Sequence, residues 1–286
     1  MQKRRDFIKA AGFFGGCVAL NPVNAFGLNN QHLVTKPFGI QLYTLRDIII
    51  GKEEETIKSL ASFGYTQLES YEGPKGVYWG MSPSTFKNFT EDLGIKMIST
   101  HCDVYADFEK KVEEAASIGL KYLICPWVGP QKSIDDYKKI ADEFNACGEI
   151  AKKHGIKFAY HNHDYSFVPM NGIIPQDVMM NNTNKDTVDF EMDMYWTVAA
   201  GVDPLTYMEK HPGRFKLVHV KDMTKLANGD HESCVIGKGT IDYKSLLPQI
   251  AKRGVKHMIV EQEAYTGTNE LDAARDDAAY VKTLKW

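Results

Sequence analysis

Short apolar runs alternate with amphipathic stretches along most of the chain after residue 36. Eight runs have the length of buried strands, and the stretches between them repeat apolar positions at helical spacing. The predicted strands are 38–43, 65–69, 96–100, 122–126, 157–160, 187–192, 215–220 and 257–261. The predicted helices are 53–63, 83–93, 108–118, 134–154, 204–210, 243–253 and 270–284. This alternation indicates repeated βα units around a parallel sheet.

Glycines mark the junctions between these elements. Gly64, Gly94, Gly119, Gly155 and Gly254 each stand between a predicted helix and the next predicted strand. A residue with left-handed backbone often ends a helix, and glycine adopts that conformation without steric penalty. The regular spacing and the length of 286 residues predict one α/β domain over residues 37–286, a (β/α)8 TIM barrel.

An open doubly wound sheet is the alternative α/β architecture. It requires a glycine-rich phosphate turn after the first strand, but residues 41–46 read QLYTLR. The glycines of residues 237–240, GKGT, lack the spacing of a phosphate loop, so we expect a turn there. The absence of a dinucleotide fingerprint also argues against a nicotinamide oxidoreductase.

Residues that can bind metals or transfer protons follow four consecutive predicted strands. In a barrel, the carboxyl ends of the strands meet at one mouth. We therefore expect a shared site from four of these residues: His161, Asp193, His219 and Glu261. Two imidazoles with two carboxylates suit Mn²⁺, Zn²⁺, Co²⁺ or Fe²⁺, whereas an all-oxygen set would suit Mg²⁺ or Ca²⁺. The pattern predicts a divalent transition metal.

Four segments carry a resemblance to a known family. They are YHNHDYSF at 160–167, FEMDMYWTVAAGVDP at 190–204, LVHVKDM at 217–223 and VEQE at 260–263. They resemble the xylose isomerase-like barrels, which comprise sugar phosphate isomerases/epimerases, inosose dehydratases, 3-keto-glycoside-processing enzymes and nucleases of the endonuclease IV type. The resemblance covers residues 36–286. It implies a TIM barrel, a carbohydrate substrate and a divalent metal held at strand ends five to eight by Glu, Asp, His and Glu.

Matching the motifs places Asp193, His219 and Glu261 at the last three ligand positions. The first position departs from the family, because His161 stands where many relatives have a Glu that also acts as an acid or base. Either His161 binds the metal, or His163 binds it and His161 faces the substrate. The departure favours elimination or hydration of a keto-sugar over simple epimerisation, although isomerase/epimerase and 3-keto-glycoside lyase/hydratase chemistry both stay open.

Further roles follow from position in the barrel. We expect proton transfer or oxyanion stabilisation from Glu261, His161, His163 and Lys221. We expect substrate contacts from Glu69, His101, Trp127, Trp196 and Glu263. Asp164 and Asp222 are predicted to form turns or to fix the tautomer of a metal-binding histidine.

Composition limits the partners. A net charge of -3 and a pI near 6.3 provide no basic field for nucleic acid, and Trp196 stands where the nuclease pattern has a further histidine. Five cysteines without close pairing indicate neither a disulfide scaffold nor a zinc knuckle. A homo-oligomer stays open. The rival to an enzyme is an exported, non-catalytic, metal-containing sugar-binding protein.

The first 25 residues have the order of an export signal. Basic residues 3–9, KRRDFIK, precede the apolar stretch 10–20 and a small-residue site at Ala25, and the paired arginines resemble a twin-arginine signal. We expect cleavage after Ala25, a linker over 26–36 and a periplasmic protein, with lipidation at Cys17 as the alternative. No later apolar run is long enough for a transmembrane helix. Loading in the cytoplasm before export would protect a weakly bound metal from copper and zinc, which favours Mn²⁺.

Overall fold

The computed structural model of the protein describes residues 36–286. The predicted signal over residues 1–25, including Cys17, and the linker as far as residue 35 lie outside the described residues. In the described part, the strands are β1 Gly39–Gln41, β2 Gln67–Tyr71, β3 Lys96–His101, β4 Tyr122–Cys125, β5 Lys157–His161, β6 Val188–Asp193, β7 Phe215–Val220, β8 Asp222–Lys225, β9 His231–Cys234 and β10 His257–Val260.

The helices are α1 Glu53–Phe63, α2 Pro83–Asp92, α3 Phe108–Ser117, α4 Ile134–Lys153, α5 Pro175–Asn182, α6 Met194–Ala199, α7 Pro204–Lys210, α8 Tyr243–Lys252 and α9 Glu270–Val281. Short 3₁₀ turns follow β1 at Leu42–Leu45 and β5 at Asp164–Phe167. None of the helices in residues 36–286 is long and apolar enough to cross a bilayer.

Eight parallel strands close into a barrel in the order β1, β10, β7, β6, β5, β4, β3, β2. This architecture confirms the predicted (β/α)8 TIM barrel. The five glycines predicted to end helices all have positive φ, between 75° and 95°, as that role requires. Helix starts are fixed in the same local way. For example, the hydroxyl of Ser82 accepts a hydrogen bond from Thr85 N, and Pro83 follows at the first helical position of α2.

Strand alternation separates the inside of the barrel from the layer beneath the helices. On β5, Phe158 and Tyr160 face outward and each packs against Phe144 of α4, with ring centroids 5.1 Å apart. Successive side chains point to opposite faces, so Ala159 and His161 face inward. Ala159 belongs to a small apolar cluster with Leu217 and Ile124. Two residues further along β5 and β7, at their carboxyl ends, the inward side chains are imidazoles.

Helices α5 and α6 and the hairpin of β8 and β9 were not predicted. Helices α5 and α6 are short, with eight and six residues. The antiparallel hairpin of β8 and β9 is missing from the prediction because its strands are too polar to form an apolar run, although Asn228-Gly229 is a known hairpin-turn signal. The predicted turn at residues 237–240 lies beyond this hairpin and is confirmed.

Candidate functional site

A cavity of about 380 Å³ opens at the carboxyl ends of the barrel strands. This volume lies at the small end of the roughly 300–1,000 Å³ range of small-molecule sites. Its wall combines aromatic rings, imidazoles and carboxylates, from Tyr43, Tyr71, Glu72, His101, Cys102, Asp103, Pro126, Trp127, His161, His163, Glu261 and Glu263. Of the residues with predicted roles, His101, Trp127, His161, His163, Glu261 and Glu263 therefore line the cavity.

The four predicted metal ligands lie together at the inner end of this cavity. One ligand atom from each of His161, Asp193, His219 and Glu261 falls within 4.8 Å of all the others. The Nδ1 of His219 is 3.2 Å from His161 Nε2, 3.1 Å from Glu261 Oε2 and 3.8 Å from Asp193 Oδ2. His161 Nε2 lies 3.5 Å from the same oxygen of Asp193. All four side chains are buried.

These separations fit a bound metal ion. Ligand bonds of about 2.0–2.2 Å place tetrahedral donor atoms roughly 3.3–3.6 Å apart. Asp193 is oriented for this role, because its Oδ1 accepts a hydrogen bond from Trp196 N at the start of α6. Its Oδ2 is buried and has no hydrogen-bond partner among residues 36–286. A buried carboxylate oxygen without a donor, aimed at three further ligand atoms, is the arrangement that a cation would satisfy.

The other nitrogen of His219 faces a different carboxylate. His219 Nε2 lies 2.7 Å from Glu69 Oε1. Burial raises the pKa of Glu69, but the neighbouring His101 and His219 outweigh it and hold that pKa well below the usual range. An ionised Glu69 accepts the Nε2 hydrogen, and this leaves Nδ1 as the nitrogen that can bind a metal. Glu69 thus orients His219. From the sequence we expected Glu69 to contact the substrate, but Glu69 does not line the cavity.

Beneath the four ligands lies a second group of close polar atoms, from Glu69, His101, Glu191 and His219. His101 Nε2 is 2.8 Å from Glu191 Oε2 and 3.1 Å from Glu69 Oε1. Both separations are those of ordinary hydrogen bonds. Burial lowers the pKa of His101, but Glu69 and Glu191 overcome this and raise it to about 9. Burial and the adjacent Glu69 raise the pKa of Glu191 to about 7.

Glu191 was not among the predicted site residues. A signal was present in VDFEMD, the sequence of β6, because Asp189, Glu191 and Asp193 alternate with apolar residues. Alternation at a spacing of two places all three on the inward face of a strand whose other face packs against helices. Three acidic residues inside a barrel indicate a polar site that extends below the strand end.

Lys221 is fully buried behind the ligands and does not line the cavity. Its ammonium lies 2.6 Å from Glu263 Oε1, 3.2 Å from Glu261 Oε2 and 3.5 Å from Asp193 Oδ2. Burial lowers the pKa of Lys221, but these carboxylates raise it well above its ordinary value. Lys221 therefore neutralises the carboxylates around the ligand set. Oxyanion stabilisation by Lys221 stays a prediction, since its ammonium contacts these carboxylates and does not line the cavity.

His163 lies beside the ligand set and faces the cavity. Its ring packs edge-on against Trp127, with centroids 4.6 Å apart, and its Nδ1 has no partner among residues 36–286. Burial and the neighbouring His161 lower the pKa of His163 to about 2. The sequence left open whether His161 or His163 binds the metal. The structure brings His161 into the group of candidate ligands and leaves His163 on the cavity wall, which favours His161. Trp196 packs behind His163 and does not line the cavity.

Asp164 and Asp222 act locally. Asp164 accepts a hydrogen bond from Tyr165 N in the 3₁₀ turn after β5. Asp222 accepts four backbone hydrogen bonds, from the N–H groups of Met223, Ile241, Gly237 and Gly239. A Cβ at Gly239 would lie 2.3 Å from Asp222 Oδ1, so this close approach requires glycine. Asp222 therefore organises the loop after the hairpin, and it does not contact His219.

Comparisons with known proteins agree with the barrel fold. The family model described as xylose isomerase-like TIM barrel matches residues 57–284. An inosose dehydratase from Lacticaseibacillus casei is 24% identical over 253 residues, covering 74% of this chain and 83% of the relative. A crystal structure of a sugar phosphate isomerase/epimerase from Parabacteroides distasonis is 26% identical, with a TM-score of 0.74, and covers 88% of this chain and 95% of that chain.

A crystal structure of the protein IOLI with a bound zinc atom shares the fold. It has a TM-score of 0.67 and 16% identity, and covers 85% of this chain and 95% of that chain. At this identity the likeness concerns the barrel alone.

Proposed function

Because the chain belongs to the xylose isomerase-like TIM barrel family and is an enzyme of that superfamily, we propose that it removes a proton next to the carbonyl of a sugar or keto-sugar, with a divalent metal as cofactor. The observation that carries this proposal is the convergence of His161, Asp193, His219 and Glu261 at the inner end of a sugar-sized cavity. The inosose dehydratase relative supports elimination of water as the reaction.

The cofactor is a first-row divalent ion. Two imidazole nitrogens and two carboxylate oxygens suit Mn²⁺, our first choice, and also Zn²⁺, Co²⁺ or Fe²⁺. The IOLI structure supports the capacity of this type of barrel to hold such an ion. When bound, the ion would polarise the carbonyl of the substrate and so acidify the adjacent C–H bond.

The protein supplies an acid and a base on the same cavity wall. Glu263 lines the cavity, and burial raises the pKa of its carboxyl despite the neighbouring Lys221. A carboxylate with raised basicity is suited to take the proton from the carbon next to the carbonyl. His101, whose pKa of about 9 keeps it protonated at neutral pH, then donates a proton to the departing β-hydroxyl, which leaves as water.

His163 and Trp127 complete this wall. His163 stays neutral because of its lowered pKa, so it presents hydrogen-bonding nitrogen without charge to a substrate hydroxyl. Trp127 is 52% exposed and offers an apolar face to the C–H side of a sugar ring. Together they would orient the substrate so that its acidic C–H points at the carboxylate.

Proton NMR in D₂O tests the reaction directly. Metal-loaded protein is incubated with an inosose, a 3-keto-glycoside and a ketohexose, and a metal-stripped sample serves as the control. Deuterium at the carbon next to the carbonyl, together with a dehydrated product, supports the proposal. Exchange that yields only an epimer or an isomer would show that the reaction is isomerisation and not elimination. Stoichiometric metal without exchange on any substrate supports the rival, a metal-containing sugar-binding protein.

The predicted signal supports action after export. The basic, apolar and small-residue order of residues 1–25 motivates this part of the proposal. Replacing Arg4 and Arg5 together by lysine should retain the protein in the cytoplasm, as cell fractionation would measure. Equal periplasmic amounts of the variant and the parent protein would contradict use of the twin-arginine route.

A further inference from the structure

Four carboxylates line the cavity, and no Lys or Arg within residues 36–286 does so. Glu261 and Glu263 stand at the inner end, and Glu72 and Asp103 follow β2 and β3 at the outer end. From this distribution we infer that the cavity selects an uncharged sugar or glycoside and rejects a sugar phosphate. The inference rests on the proposed carbohydrate function and deepens it by naming the substrate class.

The cations nearest to the cavity are already engaged. Lys111 donates to Glu72 Oε2 at 2.7 Å and to the Asp103 carbonyl at 2.8 Å. Arg46 donates to the Glu263 carbonyl at 2.8 Å, and its guanidinium lies over the ring of Tyr43. Lys221 is buried among carboxylates. None of the three lines the cavity, and a phosphate would compete with these charge-assisted contacts for each of them.

Backbone donors of the glycine-containing loop after the β8–β9 hairpin are engaged as well. The N–H groups of Gly237 and Gly239 point at Asp222 Oδ2, at 2.8 and 3.1 Å. The carboxylate of Asp222 thus occupies the position that an anion would take in a phosphate-binding loop. Neither side chains nor this loop offer the donors by which proteins ordinarily hold a phosphoryl group.

The outer half of the cavity has the composition of a sugar-binding surface. Trp127 and Tyr43 are 52% and 40% exposed, and Tyr71 packs edge-on against Tyr43 with centroids 5.2 Å apart. Aromatic faces match the apolar C–H side of a sugar, and the carboxylates of Glu72 and Asp103 accept hydrogen bonds from its hydroxyl groups. A phosphate at the same place would be repelled by the carboxylate of Asp103 and, less strongly, by that of Glu72, because Glu72 is paired with Lys111.

Binding of two probes that differ by one phosphate tests the inference without requiring turnover. The affinities of the metal-loaded protein for sorbitol and sorbitol 6-phosphate are measured by calorimetry. We expect sorbitol to bind at least about tenfold more tightly, from the repulsion by two like charges. Equal affinity, tighter binding of the phosphate or no binding of either probe would overturn the inference. A failure of deuterium exchange would instead concern the proposed reaction, so the two failures are distinguishable.

Variants assign the discrimination to the outer carboxylates. The double variant Glu72→Gln/Asp103→Asn should show a roughly three- to tenfold smaller preference for sorbitol, because two negative charges are removed. The matched control, Glu91→Gln with Asp92→Asn, changes the charge equally at the exposed end of α2, where the chain turns into β3 at the opposite end of the barrel. If the folded double variant kept the full preference for sorbitol over sorbitol 6-phosphate, Glu72 and Asp103 would not be the source of the discrimination. Added salt should reduce the preference of the unmodified protein by screening the same charges.

Discussion

His219 Nε2 lies 2.7 Å from Glu69 Oε1 and links β7 to β2 across the barrel. The contact assigns the two nitrogens of one imidazole to different partners, a carboxylate at Nε2 and the ligand group at Nδ1. Nearby Glu191 and Glu261 overcome burial and raise the pKa of His219 well above its ordinary value. A metal would therefore displace the proton from His219 Nδ1, while the hydrogen on His219 Nε2 stays bonded to Glu69.

Removing the charge of Glu69 should weaken metal binding. In Glu69→Gln, an amide oxygen can still accept the Nε2 hydrogen, but it makes the imidazole a poorer electron donor than a carboxylate does. We expect a loss of about 10- to 100-fold in metal affinity. Competition with a fluorescent chelator would measure it, with Glu55→Gln on the exposed face of α1 as the control. Unchanged affinity in a folded Glu69→Gln protein would show that Glu69 does not tune the ligand.

The two histidines at the carboxyl end of β5, His161 within the strand and His163 just after it, should differ in function. His161→Gln removes a nitrogen that lies 3.2 Å from His219 Nδ1. Metal affinity should therefore fall by more than about 100-fold, which is the upper limit for the loss of a residue that only supports a ligand. His163→Gln should leave metal content intact and reduce turnover, since His163 lies on the cavity wall. Metal analysis after gel filtration, paired with the exchange assay, checks both variants. Metal loss in His163→Gln with retention in His161→Gln would reverse the assignment.

The barrel and the grouping of the four candidate metal ligands could be predicted because they depend on local periodicity. His161, Asp193, His219 and Glu261 each follow an apolar run, and closure of a βα barrel brings such positions together. The contact between His219 and Glu69 could not be predicted, because it depends on how strands far apart in sequence face each other across the interior.

Asp222 shows where proximity in sequence misleads. It lies three residues after His219, and an odd spacing along an extended chain turns a side chain to the opposite face. Lys221, at a spacing of two, shares the face of His219 and reaches the ligand carboxylates. The role of Asp222 could have been inferred from this spacing, but its four backbone donors come from a loop whose path no local pattern specifies.

Loss of the accepting oxygens of Asp222 should destabilise the fold. In Asp222→Asn, one carboxylate oxygen becomes an amide donor that faces backbone N–H groups, and two buried donors lose their acceptor. The free energy of unfolding should fall by roughly 3 kcal/mol. Urea denaturation measures this change, with Asp92→Asn as the control. If Asp222 instead fixed the His219 tautomer, the folded variant would lose metal affinity with little loss of stability.

Asp277 should make stability depend on pH. Burial raises its pKa to about 8, whereas an unfolded aspartate has a pKa of about 3.9. As the pH rises from about 4 to 8, the unfolded chain releases this proton and the folded protein retains it, so stability is lost. Asp277→Asn keeps an acceptor for Ile236 N and lacks the ionisation. Its stability relative to the parent protein should rise with pH by at most about 1.4 kcal/mol per unit.

Urea denaturation of both proteins at pH 5, 6, 7 and 8 checks this expectation. Asp92→Asn, which alters an exposed aspartate on α2, should show no comparable rise. A constant difference between Asp277→Asn and the parent protein over this range would contradict the raised pKa of the buried carboxyl.

The most direct test of the metal site is anomalous X-ray diffraction from crystals of the protein loaded with Mn²⁺. We predict one strong peak at about 2.0–2.3 Å from His161 Nε2, Asp193 Oδ2, His219 Nδ1 and Glu261 Oε2, with Glu69 still bonded to His219 Nε2. A peak among Glu69, His101, Glu191 and His219 Nε2, or no peak after loading, would contradict the account.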